Sequence, residues 1–209
     1  MAFSSLNNMT VPGADGVSTG QGLLMPKLQY RFRVLFSNIG NEKDPLSLTR
    51  QVIDVTRPNV SFPEIPLEIY NSRVYLAGKP TWEPITFNVR DDVNGTVAGI
   101  IGKQVQMQMD FQEQSSAAAG IDYKFNMQIQ ILDGGNGTDN KGSGASILEE
   151  WQLYGCYLSA VNYNTLNYGT NEAVTISATV RYDNAIQYGL GGDNPVATAG
   201  HIAGSTGVN

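Results

Sequence analysis

The chain of 209 residues carries a single cysteine and a single histidine. One cysteine, Cys156, excludes an internal disulfide and fits folding in a reducing cytoplasm. It lies in the apolar run Leu153-Tyr154-Gly155-Cys156-Tyr157-Leu158, the setting of a buried, inert thiol. His201 sits in a Gly-rich tail, which excludes a His-based triad and a multi-His metal site. Charge is scarce too: Asp, Glu, Lys and Arg make up 15% of the chain, against about a quarter in an average globular protein. Asn, Gln, Ser, Thr and Gly take their place, a composition that fits faces covered by other protein. No apolar run approaches the length that spans a bilayer, and no basic-plus-apolar signal peptide opens the sequence. A soluble protein, not exported by a signal sequence, is the expectation.

Other chemistry is missing as well. No Gly-Lys-Ser/Thr phosphate loop and no dinucleotide glycine fingerprint occurs. Glu149-Glu150 and Asp91-Asp92 are paired carboxylates, but neighbours in a strand point to opposite faces, so Glu149 and Glu150 cannot flank one bond. Gly134-Gly135-Asn136-Gly137-Thr138-Asp139 matches the start of a calcium-binding β-helix repeat; that motif needs stacked copies, and one copy reads as a flexible loop. The sequons at Asn8, Asn59, Asn94 and Asn136 have meaning only in a secreted protein. These absences predict a non-enzyme without metal or cofactor.

The net charge of −6 argues against duplex nucleic acid as a tight partner, which needs clustered cations. Residues 27–90 hold nine basic and six acidic side chains; from residue 91 onward there are four basic and twelve acidic. Such polarity lets one face of a subunit meet the opposite face of another copy, unless folding mixes the two segments.

The remaining sequence is patterned. Residues 1–28, rich in Gly, Ser, Asn and Thr, read as a flexible arm, 29–185 as one domain, and 186–209 as a Gly-rich tail. Tyr30, Phe32, Val34 and Phe36 alternate with more polar neighbours, the period of a half-buried strand. A second extended run is predicted from Leu46 to Thr56. Pro58, Pro63 and Pro66 make the next segment an extended loop or sheet edge. Leu67 to Leu76 and Thr81 to Asp91 flank an Ala77-Gly78-Lys79-Pro80 corner, read as strand, tight turn, strand. Asn94 to Gln114 is the one predicted helix, with Asn94 as cap and Asp91 and Asp92 near its positive end. Its apolar face would be Val97, Ile100, Ile101, Val105, Met107 and Phe111. Phe125, Met127, Ile129 and Ile131 alternate with Lys124, Asn126, Gln128 and Gln130, the cleanest strand pattern present. Strands over 147–160 and 174–182 complete a mainly β chain.

Asn71, Arg73, Ala77-Gly78, Thr81, Trp82 and Glu83 together resemble the tube protein of contractile, myovirus-type phage tails. In that family Asn and Arg on an aromatic-flanked strand precede Ala-Gly, then Thr with an aromatic and an acid, ahead of a short helix. Ile147-Leu148-Glu149-Glu150-Trp151-Gln152-Leu153-Tyr154-Gly155, the turn 162–171 and the strand from Glu172 to Tyr182 are similar to the family's closing elements. The resemblance covers roughly Tyr30 to Asn184; the arm, the insertion near 133–146 and the tail are longer than a compact tube subunit needs.

The resemblance implies a two-layer β-sandwich or barrel with one α-helix, the tail-tube fold shared with contractile injection systems. It implies a structural virion protein, assembled in the host cytoplasm. Copies would form six-membered rings, stack into a tube inside a contractile sheath, and conduct the genome. Partners would be the chain itself, the sheath protein, and tape-measure and baseplate proteins, with DNA only as transient cargo and no membrane. Asn126, Gln128 and Gln130 are the lumen candidates, though the same residues would suit a solvated face. Ring-to-ring contact falls on Pro58, Phe62, Pro63, Arg73, Lys79 and Trp82, although a tryptophan such as Trp82 is more often a core residue. A baseplate tube-initiator or a secretion-system tube ring shares this architecture. A secreted carbohydrate-binding β-sandwich would instead be a monomer with a ligand groove.

Overall fold

The structure, a computed structural model, describes residues 26–43, 45–135 and 145–189. The segment from Gly134 to Asp139, read from sequence as a loop, lies mostly outside the described residues, as do His201 and most of the arm and tail.

Two antiparallel sheets share one long strand. The first holds β1 (Phe32–Ser37), β10 (Phe125–Leu132), the amino-terminal part of β11 (Ile147–Asn162) and β13 (Asn184–Tyr188). The second holds the carboxy-terminal part of β11, then β12 (Thr175–Arg181), β7 (Ile85–Arg90) and β2 (Val52–Val55). β11 passes between sheets by bending at Gly155, whose φ of 65° an L side chain rarely adopts. A Cβ there would also collide with the Asp183 carboxylate. Gly155, the end of the segment from Ile147 that resembles the family's closing elements, therefore marks a bend within a strand.

Period-two patterning fills the core between the sheets. Val34, Phe36, Phe125, Met127, Ile129, Leu153 and Cys156 come from the first sheet; Ile85, Phe87, Val89, Ile176, Ala178 and Val180 come from the second. Burial pushes the Cys156 thiol up to about 12, which leaves it protonated and unreactive.

Helix α2 (Thr96–Gln108) buries Val97, Ile100, Ile101 and Gln104. It starts later and ends earlier than the sequence suggested. Its N-terminal position is Gly95, with φ 65°, and not Asn94. The orphan amides go to the two aspartates: Asp92 Oδ1 accepts from Thr96 and Val97, and Asp91 Oδ1 from Ala98. Beyond Gln108 the chain turns extended: β8 (Met109–Asp110) pairs with β9 (Ser115–Ser116), and Phe111 is exposed instead of continuing the helix face.

Three further readings need correction. Leu46–Gln51, predicted extended, forms a second helix, α1, directly after Pro45 and buries Leu48. Its Leu, Arg and Gln are good helix formers, and proline suits a helix start. Leu67 to Leu76 is not one strand. It is most of a hairpin, β4 (Glu64–Ile69) against β5 (Ser72–Ala77), turning at Tyr70 and Asn71. Tyr70 takes φ 46° there, and Ser72 Oγ donates to the Ile69 carbonyl. Short strands β3 (Val60–Ser61) and β6 (Thr81–Trp82) pair at its base. Finally, pairing continues to Tyr188, past the domain end expected at 185, because β13 completes the first sheet.

Candidate assembly surfaces

Three surfaces stand out once the core is accounted for: a polar sheet face, a pair of sheet rims and a protruding hairpin. The first sheet turns its apolar side inward. Its other side is read off the register in cross-strand rows. Arg33, Gln130, Glu150 and Tyr188 form one row; Leu35, Gln128, Gln152 and Ile186 the next; Ser37 faces Asn126, and Tyr154 faces Asn184. All three lumen candidates thus share one face, as the alternation required. They differ in exposure: Asn126 is exposed, Gln128 half-buried and Gln130 buried.

Gln130 is buried by a hydrogen-bonded chain running across the sheet. Arg33 Nε donates to Gln130 Oε1 at 2.7 Å, and Gln130 Nε2 donates to Glu150 Oε2 at 2.7 Å. Gln152 Nε2 donates to the other Glu150 oxygen, and the Tyr154 hydroxyl donates to Gln152 Oε1. One cation and one anion, linked through an amide, are the only charged members of these rows. The face is therefore nearly neutral and dominated by amides and hydroxyls.

Glu149, next along β11, points to the opposite side, as two adjacent strand residues must. Its carboxylate is almost buried. Burial alone would push it up, but Lys27 Nζ at 2.5 Å, Trp151 Nε1 at 2.9 Å and Gln187 Nε2 at 2.9 Å outweigh that and hold it below its ordinary value. This ion pair ties Lys27 to the long strand.

Rims come next. Among the described residues, β1 pairs with β10 alone and β13 with β11 alone, so both rims of the four-stranded sheet have unpaired backbone. An open rim is a template for another strand.

The hairpin β4–β5 is the third surface. All twelve of its strand residues are exposed. Its register separates two faces. Ile65, Leu67 and Ile69 lie beside Leu76, Val74 and Ser72, while Glu64, Pro66 and Glu68 lie beside Ala77, Tyr75 and Arg73. On the polar face Arg73 and Glu68 form an ion pair at 2.5 Å that raises the Arg73 pKa. Of the six predicted contact residues, Arg73 lies on this hairpin. Phe62, Pro63 and Lys79 are exposed near its base, and the Pro63 carbonyl accepts from the Gly78 amide at 2.7 Å. Pro58 is half-buried. Trp82 packs on the body, 5.7 Å from the Tyr182 ring, so its role in one chain is to seat the hairpin.

The aliphatic face Ile65, Leu67, Ile69, Val74 and Leu76 was missed as a contact surface. Its signal was present in the strict alternation from Glu64 to Ile69. No group of His, Cys, Asp and Glu able to hold a metal, and no helix long and apolar enough to cross a membrane, occurs among the described residues.

No protein-family model matches the chain, and no curated protein matches it by sequence. Solved structures match by fold. A chain in the sheath/tube terminator of an extracellular contractile injection system (PVC) aligns with TM-score 0.57 at 15% identity, covering 80% of this chain and 99% of that one. A chain in the tube-terminating cap of the anti-feeding prophage aligns with TM-score 0.56 at 14% identity, covering 81% and 95%. A chain in the PVC sheath–tube complex gives 0.55 at 15%, covering 78% and 92%. The architecture is the mainly β tail-tube fold of contractile injection systems.

Proposed function

We propose that this chain is a tube subunit of a contractile tail or injection machine. Copies join side by side into hexameric rings, and rings stack into a hollow tube inside a sheath. The observation that carries this reading is a four-stranded sheet with a neutral polar face and both rims unpaired, set in a fold similar to chains of tube, cap and terminator assemblies.

The physics runs from rim to ring. An unpaired strand in water exposes a row of amides and carbonyls and invites disordered pairing; closing sheets end to end into a barrel removes every rim. The β1 rim of one copy meets the β13 rim of its neighbour, which places the rows through Gln128, Gln130 and Glu150 on the inner wall. With Arg33 and Glu150 tied through Gln130, that wall offers few free cations to hold phosphates. DNA or another polyanion then slides through it as transient cargo. In a phage this is the inner tube of a virion tail, with sheath, tape-measure and baseplate proteins as neighbours; in an injection system the cargo differs while the wall is the same.

Stacking falls to the segment from Pro58 to Trp82. The test is to replace residues 64–77 with a tight turn. The shortened chain should melt as the wild type does and still form rings, yet yield no tubes. Tubes of normal length from that variant would contradict the contact assignment. A tube-terminating cap is the second reading, favoured by the likeness to the cap and terminator chains. A cap binds the end of a tube and does not polymerise with itself, so unlimited stacking of the purified chain excludes it.

A further inference from the structure

This inference rests on the tube reading and names the surface that receives the hairpin. Among the described residues, most large exposed apolar side chains gather in three places. The first is the hairpin face of Ile65, Leu67, Ile69, Val74 and Leu76, each 43–52% exposed. The second is Val93 with the loop over 163–174, where Tyr163, Leu166, Tyr168 and Val174 are exposed. The third is Met109, Phe111 and Ile121 beyond the end of α2.

The register of the second sheet fixes where these lie. Its β7–β12 ladder runs from Ile85↔Val180 at one end to Arg90↔Thr175 at the other. The hairpin leaves β2 and returns to β7 at the Ile85 end. The 163–174 loop enters β12 at the Thr175 end, and there the Asp91 amide donates to the Val174 carbonyl at 2.9 Å, bringing the Val93 turn alongside. The α2 patch, by contrast, is tied to Leu158 through both ends of the Gln108 amide, and Leu158 pairs with Val180 at the hairpin's own end.

We propose that the aliphatic hairpin face of one copy seats on Val93 and the 163–174 loop of a second copy in the next ring. A contact between opposite ends of one subunit does not close on itself and so propagates into a filament, whereas hairpin against α2 patch joins like ends and stops at a pair. The receiving loop is already shaped. Asn164, at φ 54°, donates through Nδ2 to Thr175 O and Oγ1 at 2.9 Å, and Asn167 Oδ1 accepts from Gly169 N at 2.9 Å. A preformed surface loses little freedom on docking. The loop has one charged side chain, Glu172, and the aliphatic face has none, so the contact is carried by apolar and neutral polar groups. Five half-exposed aliphatic side chains make a patch of a few hundred Å², short of the roughly 800 Å² per partner in a stable pairwise interface. Single subunits therefore stay apart, and rings stack because six such contacts form together.

Cysteine pairs test this in the full-length chain, where native Cys156 is buried and unreactive. Leu67→Cys with Leu166→Cys, oxidised after assembly, should give a ladder of covalent multimers on a denaturing gel, while either single variant gives none. Leu67→Cys with Phe111→Cys should give no covalent product. A covalent dimer from the Phe111 pair instead, or no ladder from the Leu166 pair on particles seen as tubes, overturns the assignment and leaves the tube reading standing. A wild-type chain that forms no particles defeats the tube reading, and this contact with it.

Discussion

Glu149 and Gln104 show what single side chains contribute. Glu149 has its folded pKa depressed, from an ordinary value of 4.5, by its three donors. A depressed carboxyl contributes stability that is fully present above the unfolded value and is lost as pH falls through the folded one. The urea midpoint of the wild type should drop between about pH 6 and pH 3, and Glu149→Gln should flatten part of that drop; an unchanged slope would show that Lys27 does not hold the carboxylate. Gln104 is completely buried and carries two backbone groups: it accepts from Gly40 N at 2.9 Å and donates to Tyr123 O at 2.5 Å. Gln104→Leu keeps the volume and strands both groups, so a loss of about 2–4 kcal/mol in urea unfolding is expected. Nothing in the sequence marked Gln104, because its position on the helix's apolar face looks like a pattern error until its two partners are known.

Among elements, the bend in β11 is the most demanding. Gly155→Ala places a side chain at φ 65° against Asp183, at a cost of about 1–2 kcal/mol. The melting temperature should fall by several degrees, and the bend links the two sheets, so a variant as stable as the wild type would contradict its role. Elements with a clean period were legible beforehand: β12 alternates throughout and β10 alternates in sequence from Phe125 to Ile131, and one face of each is core. Elements whose conformation depends on neighbours were not. Leu46–Gln51 carries an extended-looking run but folds as a helix once Leu48 has a core to enter. Leu67 to Leu76 satisfies a strand pattern throughout, and only the Tyr70–Asn71 turn, with its positive φ, splits it. β13 is too polar to read as a strand and exists because β11 offers it a partner.

At the scale of the whole molecule, the order of pieces in the sequence carried the architecture, and the face bearing Asn126, Gln128 and Gln130 followed from one alternating strand. The hairpin's apolar face and the loop at the opposite end did not, since each is a surface only in the folded chain. In the proposed assembly, open rims of the first sheet close the ring in one direction and unlike ends of the second sheet grow the tube in the other. The most direct measurement is electron microscopy of the purified full-length chain at high concentration, with its mass distribution measured in parallel. The account predicts hollow sixfold rings in end-on views, together with stacked tubes. A monodisperse monomer at every concentration, with no ring or tube in any field, would contradict it.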